Sequence, residues 1–145
     1  MRRELPGGYE LPGGYELDDD PARLDLDAIW AFLSTEAYWG RTRTRELFER
    51  QVREAARVIG LYLGERQVGF ERAFTDGVVA YLADVYVLSE HRGRGLGVEL
   101  VRAMVDEGPL RDLRWLLHTR DAHALYGKFG FGPPGERVME RPPPD

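Results

Sequence analysis

The sequence predicts a domain of the α/β (α+β) class, with a mixed, mostly antiparallel central sheet of about 6–7 strands and helices on both faces. Three observations lead to this class. Three β-type segments joined by tight turns follow two segments with helical periodicity. A strand–helix–strand crossover with a glycine-rich loop comes next. A last helix and short strands complete the chain.

The N-terminal part contains an exact hexapeptide repeat. Leu5–Glu10 and Leu11–Glu16 both read Leu-Pro-Gly-Gly-Tyr-Glu. Two copies of this length are too short to build a repeat architecture. We expect the first copy to belong to a tail and the second to lead into a strand near Tyr15 to Leu17.

The chain of 145 residues has the length of a single domain. We expect residues 1–13 to form a flexible tail, residues 14–140 to form the domain, and residues 141–145 to form a proline-rich C-terminal tail.

Two helices are expected before the first long strand. One begins near Asp25 and Asp27, whose negative charge suits a helix N-terminus, and the other runs from about Thr42 to Arg57. The apolar residues expected to face inward are Leu26, Ile29, Trp30, Leu33, Leu47, Phe48, Val52 and Ala55.

The next segments predict an antiparallel meander. Strands are expected at about Val58–Leu63, Gln67–Phe74 and Val78–Leu88, and Asp76-Gly77 is a typical two-residue hairpin turn. Further elements are expected as a helix from Leu96 to about Glu107, a strand over Leu113–His118, a helix from about Asp121 to Phe129, and a short final strand pair around Phe131 and Arg137–Glu140.

Composition excludes several classes of function. The chain has no cysteine and three scattered histidines, so we expect neither a disulfide nor a metal. A net charge of −5 with interspersed signs argues against a nucleic-acid partner bound by a general basic surface. The apolar runs are too short for a membrane span or a signal peptide, so we expect a soluble, cytoplasmic protein without a membrane partner.

The glycine loop is the strongest functional signal. It reads Arg92-Gly93-Arg94-Gly95-Leu96-Gly97 and joins an apolar strand to a helix. Backbone N–H groups and the helix dipole converge at such a junction, and the arginines add positive charge, which suits a phosphate or pyrophosphate. A turn without a ligand is the alternative. A Walker loop is excluded because Val98 and Glu99 follow the last glycine, and the dinucleotide fingerprint has a different glycine spacing.

The loop resembles the Arg/Gln-x-x-Gly-x-Gly/Ala loop of the GNAT superfamily of N-acetyltransferases. A second stretch, from Ala122 to Phe131, resembles the family's later signature, a helix that ends in Tyr-x-x-Phe-Gly-Phe. The resemblance covers roughly residues 57–132. It implies a GNAT-like fold, acetyl-CoA as cosubstrate and no metal, and direct transfer of an acetyl group to a primary amine in a ternary complex. Homodimers occur in the family, so a homodimer remains open.

The resemblance also implies where acetyl-CoA binds. The residues from Arg92 to Gly97 would hold the pyrophosphate. The strand with Val85 and Val87 would splay from the following strand and bind the pantetheine arm, and the N–H of Val87 would meet the oxyanion. Thr119 stands where the family commonly has asparagine, and it can cap the last helix and offer its hydroxyl to the cofactor.

Two residues are the expected catalytic pair. By resemblance Tyr126 would donate a proton to the departing thiolate, whereas a buried aromatic is its structural alternative. Asp84 is the candidate base, because a carboxylate in the middle of a covered strand requires a compensating partner. That partner is either the substrate or an arginine such as Arg72. Glu71 is the second candidate, and a water relay would make a single base unnecessary.

The acceptor amine is not identified by the sequence. The region of the first two helices folds over the acceptor in the family, so Trp39 would line the amine pocket, unless it belongs to the core. His118 and His123 are the histidines near the last helix, and either can titrate near neutral pH. A catalytically inactive acetyl-CoA-binding sensor or interaction module is the alternative to the enzyme.

Overall fold

A computed structural model describes residues 8–37 and 42–144. The sheet in this part of the chain has six strands in the order β1-β2-β3-β4-β5-β6, and all neighbours are antiparallel except β5 and β6. The strands are β1 Tyr9–Glu10, β2 Tyr15–Asp18, β3 Arg57–Leu63, β4 Arg66–Thr75, β5 Val79–Val87 and β6 Arg114–Leu116. The helices are α1 Leu26–Thr35, α2 Arg45–Glu54, α3 Leu96–Val105 and α4 His123–Gly127.

The predicted fold class is confirmed, and local side-chain caps explain the helix starts. The Asp25 carboxylate accepts a hydrogen bond from the Ala28 N–H at 3.0 Å and begins α1. The Thr44 hydroxyl accepts one from the Leu47 N–H at 3.1 Å, so α2 begins at Arg45 instead of near Thr42. Both residues are of the types that favour the N-cap position.

The first repeat copy differs from its expected role as a tail. Tyr9 and Glu10 form β1 and pair with β2, in the register Tyr9 to Leu17 and Glu10 to Glu16. The turn closes because the Leu11 N–H donates to the Tyr15 carbonyl at 2.7 Å. Leu11 is also buried in the core, which holds this hairpin against the sheet.

The expected final strand pair around Phe131 and Arg137–Glu140 is wrong. Between residues 131 and 140 the described chain contains bends and turns but no strand. Pro133 and Pro134, flanked by Gly132 and Gly135, explain this difference, because proline supplies no N–H for a ladder.

The core has two layers, one on each face of the sheet. On one face α3 packs over apolar residues of β3, β4 and β5, and on the other α1 and α2 pack over Val58, Phe70 and Tyr86. The stacked rings of Phe32 and Tyr86, 3.9 Å apart, join α1 to the sheet.

The two parallel strands separate before β5 ends. Their last paired residues are Tyr81 and Leu116, and β5 continues to Val87. The backbone is irregular in this region, because Asp84 has a φ of 58° and the register with β4 shifts between Phe70 and Arg72. The separation confirms the expected splay and opens a gap beside Val85 and Val87.

Candidate active site

A cavity of about 520 Å³ lies where β6 leaves β5. It brings together four of the expected catalytic and cofactor-binding residues: Asp84, Val85, Thr119 and Tyr126. The remaining lining residues come from α2 and its N-terminal approach, from β4 and β5, and from the chain after β6; they are Thr42, Arg43, Leu47, Gln51, Arg72, Tyr81, Leu82, Ala83, His118, Asp121 and Ala122.

The glycine loop adopts a backbone that requires glycine at two positions. Gly93 and Gly95 have φ values of 81° and 77°, and α3 begins immediately after Gly95. A Cβ atom at either position would meet nothing within 4 Å, so the space beside the loop is open. Arg92 and Arg94 are exposed there. The first turn of α3 therefore offers N–H groups and positive charge to an anion.

The end of β5 presents backbone groups to the gap. The Leu88 N–H donates to the Val68 carbonyl at 2.8 Å, on the β4 side. Because neighbouring residues in an antiparallel ladder point in opposite directions, the N–H and C=O of Val87 point toward the side that β6 has left. The Val87 carbonyl accepts a hydrogen bond from Arg92 Nε at 2.8 Å on that side.

Tyr126 is held at the cavity wall by the turn that follows α4. Its ring is buried and meets the ring of Phe131 edge-on, with centroids 5.9 Å apart. The Tyr126 carbonyl accepts from the N–H of Phe129 at 2.9 Å. The Thr119 hydroxyl accepts from the Ala122 N–H at 3.0 Å. Because Ala122 is the N-cap of α4 and no side chain of the described residues caps this helix, the expectation that Thr119 caps it is wrong.

Asp84 is bound by two arginines. Arg72 Nε donates to Asp84 Oδ2 at 2.6 Å, and both Nη atoms of Arg43 donate to its two oxygens at 2.8 Å. The ion pair with Arg72 was one of the two expected alternatives, whereas Arg43 was missed. Burial raises the pKa of Asp84, but the hydrogen bonds and charges of Arg43 and Arg72 outweigh it, and the pKa lies below its ordinary value. Such a carboxylate is a weak base.

Glu71 does not reach the cavity. It stands opposite Ile59 in the register, and Ile59 belongs to the core cluster under α3, so Glu71 lies on the α3 face. Its side chain is fully buried, and burial raises its pKa well above the ordinary value despite the charge of Arg57. Glu71, the second candidate base, therefore lies on the opposite side of the sheet from the cavity. Trp39 lies outside the described residues.

A hydrogen-bonded chain at the cavity mouth was missed by the sequence analysis. The Tyr81 hydroxyl bonds to His118 Nδ1, and His118 Nε2 bonds to Glu140 Oε2 at 2.7 Å. The Glu140 carboxylate can only accept, so Nε2 is the donor in this bond, and in the tautomer with its proton on Nε2 the ring accepts from the Tyr81 hydroxyl at Nδ1. Glu140 lies in the proline-rich segment 22 positions beyond His118, and no local pattern links them.

Other kinds of site are not found in the described residues. In these parts of the chain no group of three or more histidine, aspartate or glutamate side chains could hold a metal ion. Among the helices described above, none is long and apolar enough to cross a membrane.

The chain is similar in sequence to known acetyltransferases. The model of the acetyltransferase (GNAT) family matches residues 25–131. The chain is 34% identical to a candidate acetyltransferase of Gibberella zeae, FG08082, over 130 residues, which are 75% of this chain and 73% of that protein.

Solved structures resemble the whole fold. A candidate GNAT acetyltransferase from Xanthomonas campestris is 36% identical, with a TM-score of 0.82 over 90% of this chain and 94% of that chain. A candidate acetyltransferase from Clostridium acetobutylicum, solved with acetyl-CoA, is 13% identical, with a TM-score of 0.62 over 88% of this chain and 94% of that chain. At that identity the likeness concerns the fold alone.

Proposed function

This chain belongs to the GNAT acetyltransferase family, and on that premise we propose that it transfers an acetyl group from acetyl-CoA to a primary amine. The transfer is direct and takes place in a ternary complex. The observation that supports this proposal most is the order of features along the free end of β5: Val85 lines the cavity with Tyr126, the Val87 carbonyl accepts from Arg92 on the side that β6 has left, and α3 begins directly after Gly95.

Acetyl-CoA would bind along the open side of β5. The loop residues Arg92, Gly93, Arg94, Gly95, Leu96 and Gly97 would hold its pyrophosphate. Backbone groups of Val85 and Val87 would bind the pantetheine arm, and the Thr119 hydroxyl lies on the same cavity wall. The open space beside Gly93 and Gly95 supports close approach of a phosphate to the backbone. The likeness to the acetyl-CoA-bound structure from Clostridium acetobutylicum is consistent with this assignment.

The chain's own groups supply the chemistry that acetyl transfer requires. The Val87 N–H points into the gap and would stabilise the negative charge that develops on the thioester carbonyl oxygen. Tyr126 would give its hydroxyl proton to the departing thiolate. Val87 belongs to β5 and Tyr126 to α4, and their place in a strand and a helix favours a fixed geometry.

The acceptor must lose a proton before or during attack. The lowered pKa of Asp84 favours a role in positioning Arg72 and Arg43 over that of a base. The Tyr81–His118–Glu140 chain offers a route, because Tyr81 can accept a proton from the amine while passing its own to His118 Nδ1. The exposed His118 would then release the proton to water.

The first test is thermal unfolding with and without acetyl-CoA, followed by a thiol-release assay over a panel of amines. A ligand that binds the native state raises its stability, so the unfolding temperature should rise with acetyl-CoA concentration. The double variant Arg92→Ala, Arg94→Ala should lose most of this shift, and Tyr126→Phe should keep it but release thiol more slowly.

The outcomes separate the candidate functions. No shift in the wild-type protein would overturn the cofactor assignment. A shift without turnover of any amine would support a catalytically inactive acetyl-CoA-binding sensor or interaction module instead. Full activity of Tyr126→Phe would remove this hydroxyl from the acid role.

A further inference from the structure

Three charged side chains form a buried cluster on the wall of the cavity: Arg43, Arg72 and Asp84. Their side chains are 9%, 8% and 2% exposed, respectively. Two guanidinium groups and one carboxylate leave a net charge of +1. A buried charge without a counterion is unfavourable, so the cluster calls for a further anion.

The unsatisfied hydrogen-bonding capacity of this cluster lies on Arg72. Asp84 accepts from three arginine nitrogens, and Arg43 Nη1 also donates to Gln51 Oε1 at 2.8 Å. Among the described residues, Arg72 donates from Nε alone, to Asp84. Within residues 8–37 and 42–144, no group accepts a hydrogen bond from its two Nη atoms, although Arg72 lines the cavity.

No other described group on the cavity wall supplies the missing negative charge. Asp121 is exposed and makes no ion pair with either arginine in the parts of the chain described here. Burial raises the pKa of Tyr81, so this hydroxyl stays neutral near pH 7. Glu71, next to Arg72 in β4, faces α3 on the other side of the sheet.

The orientation of Arg72 suits a planar oxyanion. Asp84 holds the guanidinium through Nε, and the ring of Phe74 lies 5.9 Å from its Cζ atom. A guanidinium fixed in this way presents two parallel Nη–H groups, which match the two oxygens of a carboxylate. The Nη atoms without an acceptor and the unbalanced positive charge of the cluster can thus both be assigned to the Arg72 guanidinium.

We infer that the acceptor is an amine that also carries a carboxylate, and that Arg72 binds this carboxylate with its two Nη atoms. The inference rests on the proposed transferase function, because it concerns the acceptor side of the same cavity. With a volume of about 520 Å³, the cavity can hold the carboxylate and the amine of one small molecule. Amino acids and related aminocarboxylates are the chemical class that fits.

The test compares amines that differ only in the carboxylate: lysine with cadaverine, and phenylalanine with phenethylamine. Binding of each is measured by calorimetry in the presence of a saturating, non-hydrolysable acetyl-CoA analogue, and turnover is measured by thiol release. We expect the carboxylate member of a pair to bind roughly 10- to 100-fold more tightly, because hydrogen bonds between charged groups are strong.

Two Arg72 variants and one control test the residue. Arg72→Gln should remove the preference within each pair while leaving acetyl-CoA affinity unchanged. Arg72→Lys keeps the positive charge but lacks the two parallel Nη–H groups, so it should retain part of the preference for the carboxylate member. Arg66→Gln changes an exposed arginine on the same strand and should leave the preference intact.

Each other outcome has a defined meaning. Equal binding of both members of every pair, in a protein that acetylates simple amines, overturns this inference and leaves the transferase function standing. Weaker acetyl-CoA binding by Arg72→Gln would assign the anion to a phosphate of the cofactor and would also overturn it. Carboxylate-dependent binding without any turnover would retain the anion site and reject the transferase function.

Discussion

At the scale of single residues, Asp84 determines the arrangement of the cavity. It occupies a left-handed backbone conformation with a φ of 58° and accepts hydrogen bonds from Arg43 and Arg72, which come from different parts of the fold. A strained backbone and a shared carboxylate at one position are typical of functional sites. Asp84 therefore acts on the two arginines that face the cavity, and through them on what the cavity can bind.

Asp84→Asn should destabilise the protein by about 3–5 kcal/mol at pH 7, because it leaves two buried arginines without a charged partner. The difference in the free energy of unfolding between Asp84→Asn and wild type should become smaller as the pH falls. A lowered pKa gives stability that is complete above the ordinary value of 3.8 and is lost as the pH falls through the lowered pKa. Urea unfolding between pH 7 and acid checks both statements.

The matched control for this substitution is Glu54→Gln. Glu54 forms an exposed ion pair with Arg50 at 4.0 Å, and such surface pairs contribute roughly 0–1 kcal/mol. Equal losses of stability in Asp84→Asn and Glu54→Gln would show that the buried ion pairs of Asp84 stabilise the protein no more than an exposed ion pair does.

At the scale of elements, β2 supports the glycine loop through a contact with His91, the residue that precedes the loop. The Tyr15 hydroxyl hydrogen-bonds to His91 Nδ1 at 2.8 Å, and the two rings meet edge-on with centroids 5.6 Å apart. Both side chains are buried, and His91 immediately precedes Arg92. A strand from the N-terminal repeat is thus connected to the start of the glycine loop.

Tyr15→Phe should weaken acetyl-CoA binding several-fold and lower stability by about 1 kcal/mol, because His91 loses its hydrogen bond while the ring contact remains. Isothermal calorimetry and urea unfolding measure the two effects. Tyr9→Phe is the control, since it changes the equivalent tyrosine of the first repeat copy and leaves the hydrogen bond between Tyr15 and His91 intact. If both variants bind acetyl-CoA like wild type, β2 does not support the loop.

At the scale of the whole molecule, one arginine joins distant parts of the fold beneath α3. Arg57 in β3 donates to the carbonyls of Ala103 and Glu107 at 2.8 and 3.1 Å, and it lies 3.4 Å from the Asp19 carboxylate. Glu71 is buried in the same layer, within the field of Arg57. Its carboxyl oxygens have no hydrogen-bond partner in the described residues.

Glu71 should make the protein less stable as the pH rises. Because its pKa is raised in the folded state, the folded protein keeps a proton that the unfolded chain loses above the ordinary value of 4.5. The free energy of unfolding of wild type should therefore fall, relative to that of Glu71→Gln, as the pH rises from about 4.5 toward the raised pKa. Urea unfolding at pH 5 and pH 8 tests this.

Glu65→Gln serves as the control for this pH series, because Glu65 is exposed in the turn between β3 and β4. It should follow the wild-type curve. Parallel pH dependences of wild type and Glu71→Gln would mean that Glu71 titrates as it does in the unfolded chain.

Sequence alone determined the features that depend on neighbouring residues. The hairpin at Asp76-Gly77, the cap at Asp25 and the strand–glycine loop–helix junction all follow from local backbone preferences and side-chain hydrogen bonds. Their signals lie within a few positions of each other. For this reason the fold class and the family could be predicted from the sequence.

The tertiary structure alone decided which distant side chains meet. Arg43 and Asp84 are 41 positions apart, and His118 joins Tyr81 and Glu140 across 37 and 22 positions. The identical repeat copies also lie in different surroundings: in the described residues Tyr9 and Glu10 of the first copy pair with β2, whereas Tyr15 of the second pairs with β3 and bonds to His91. Such contacts depend on which strands and loops the whole chain brings side by side and on where β6 leaves β5, and no pattern within a few positions specifies either.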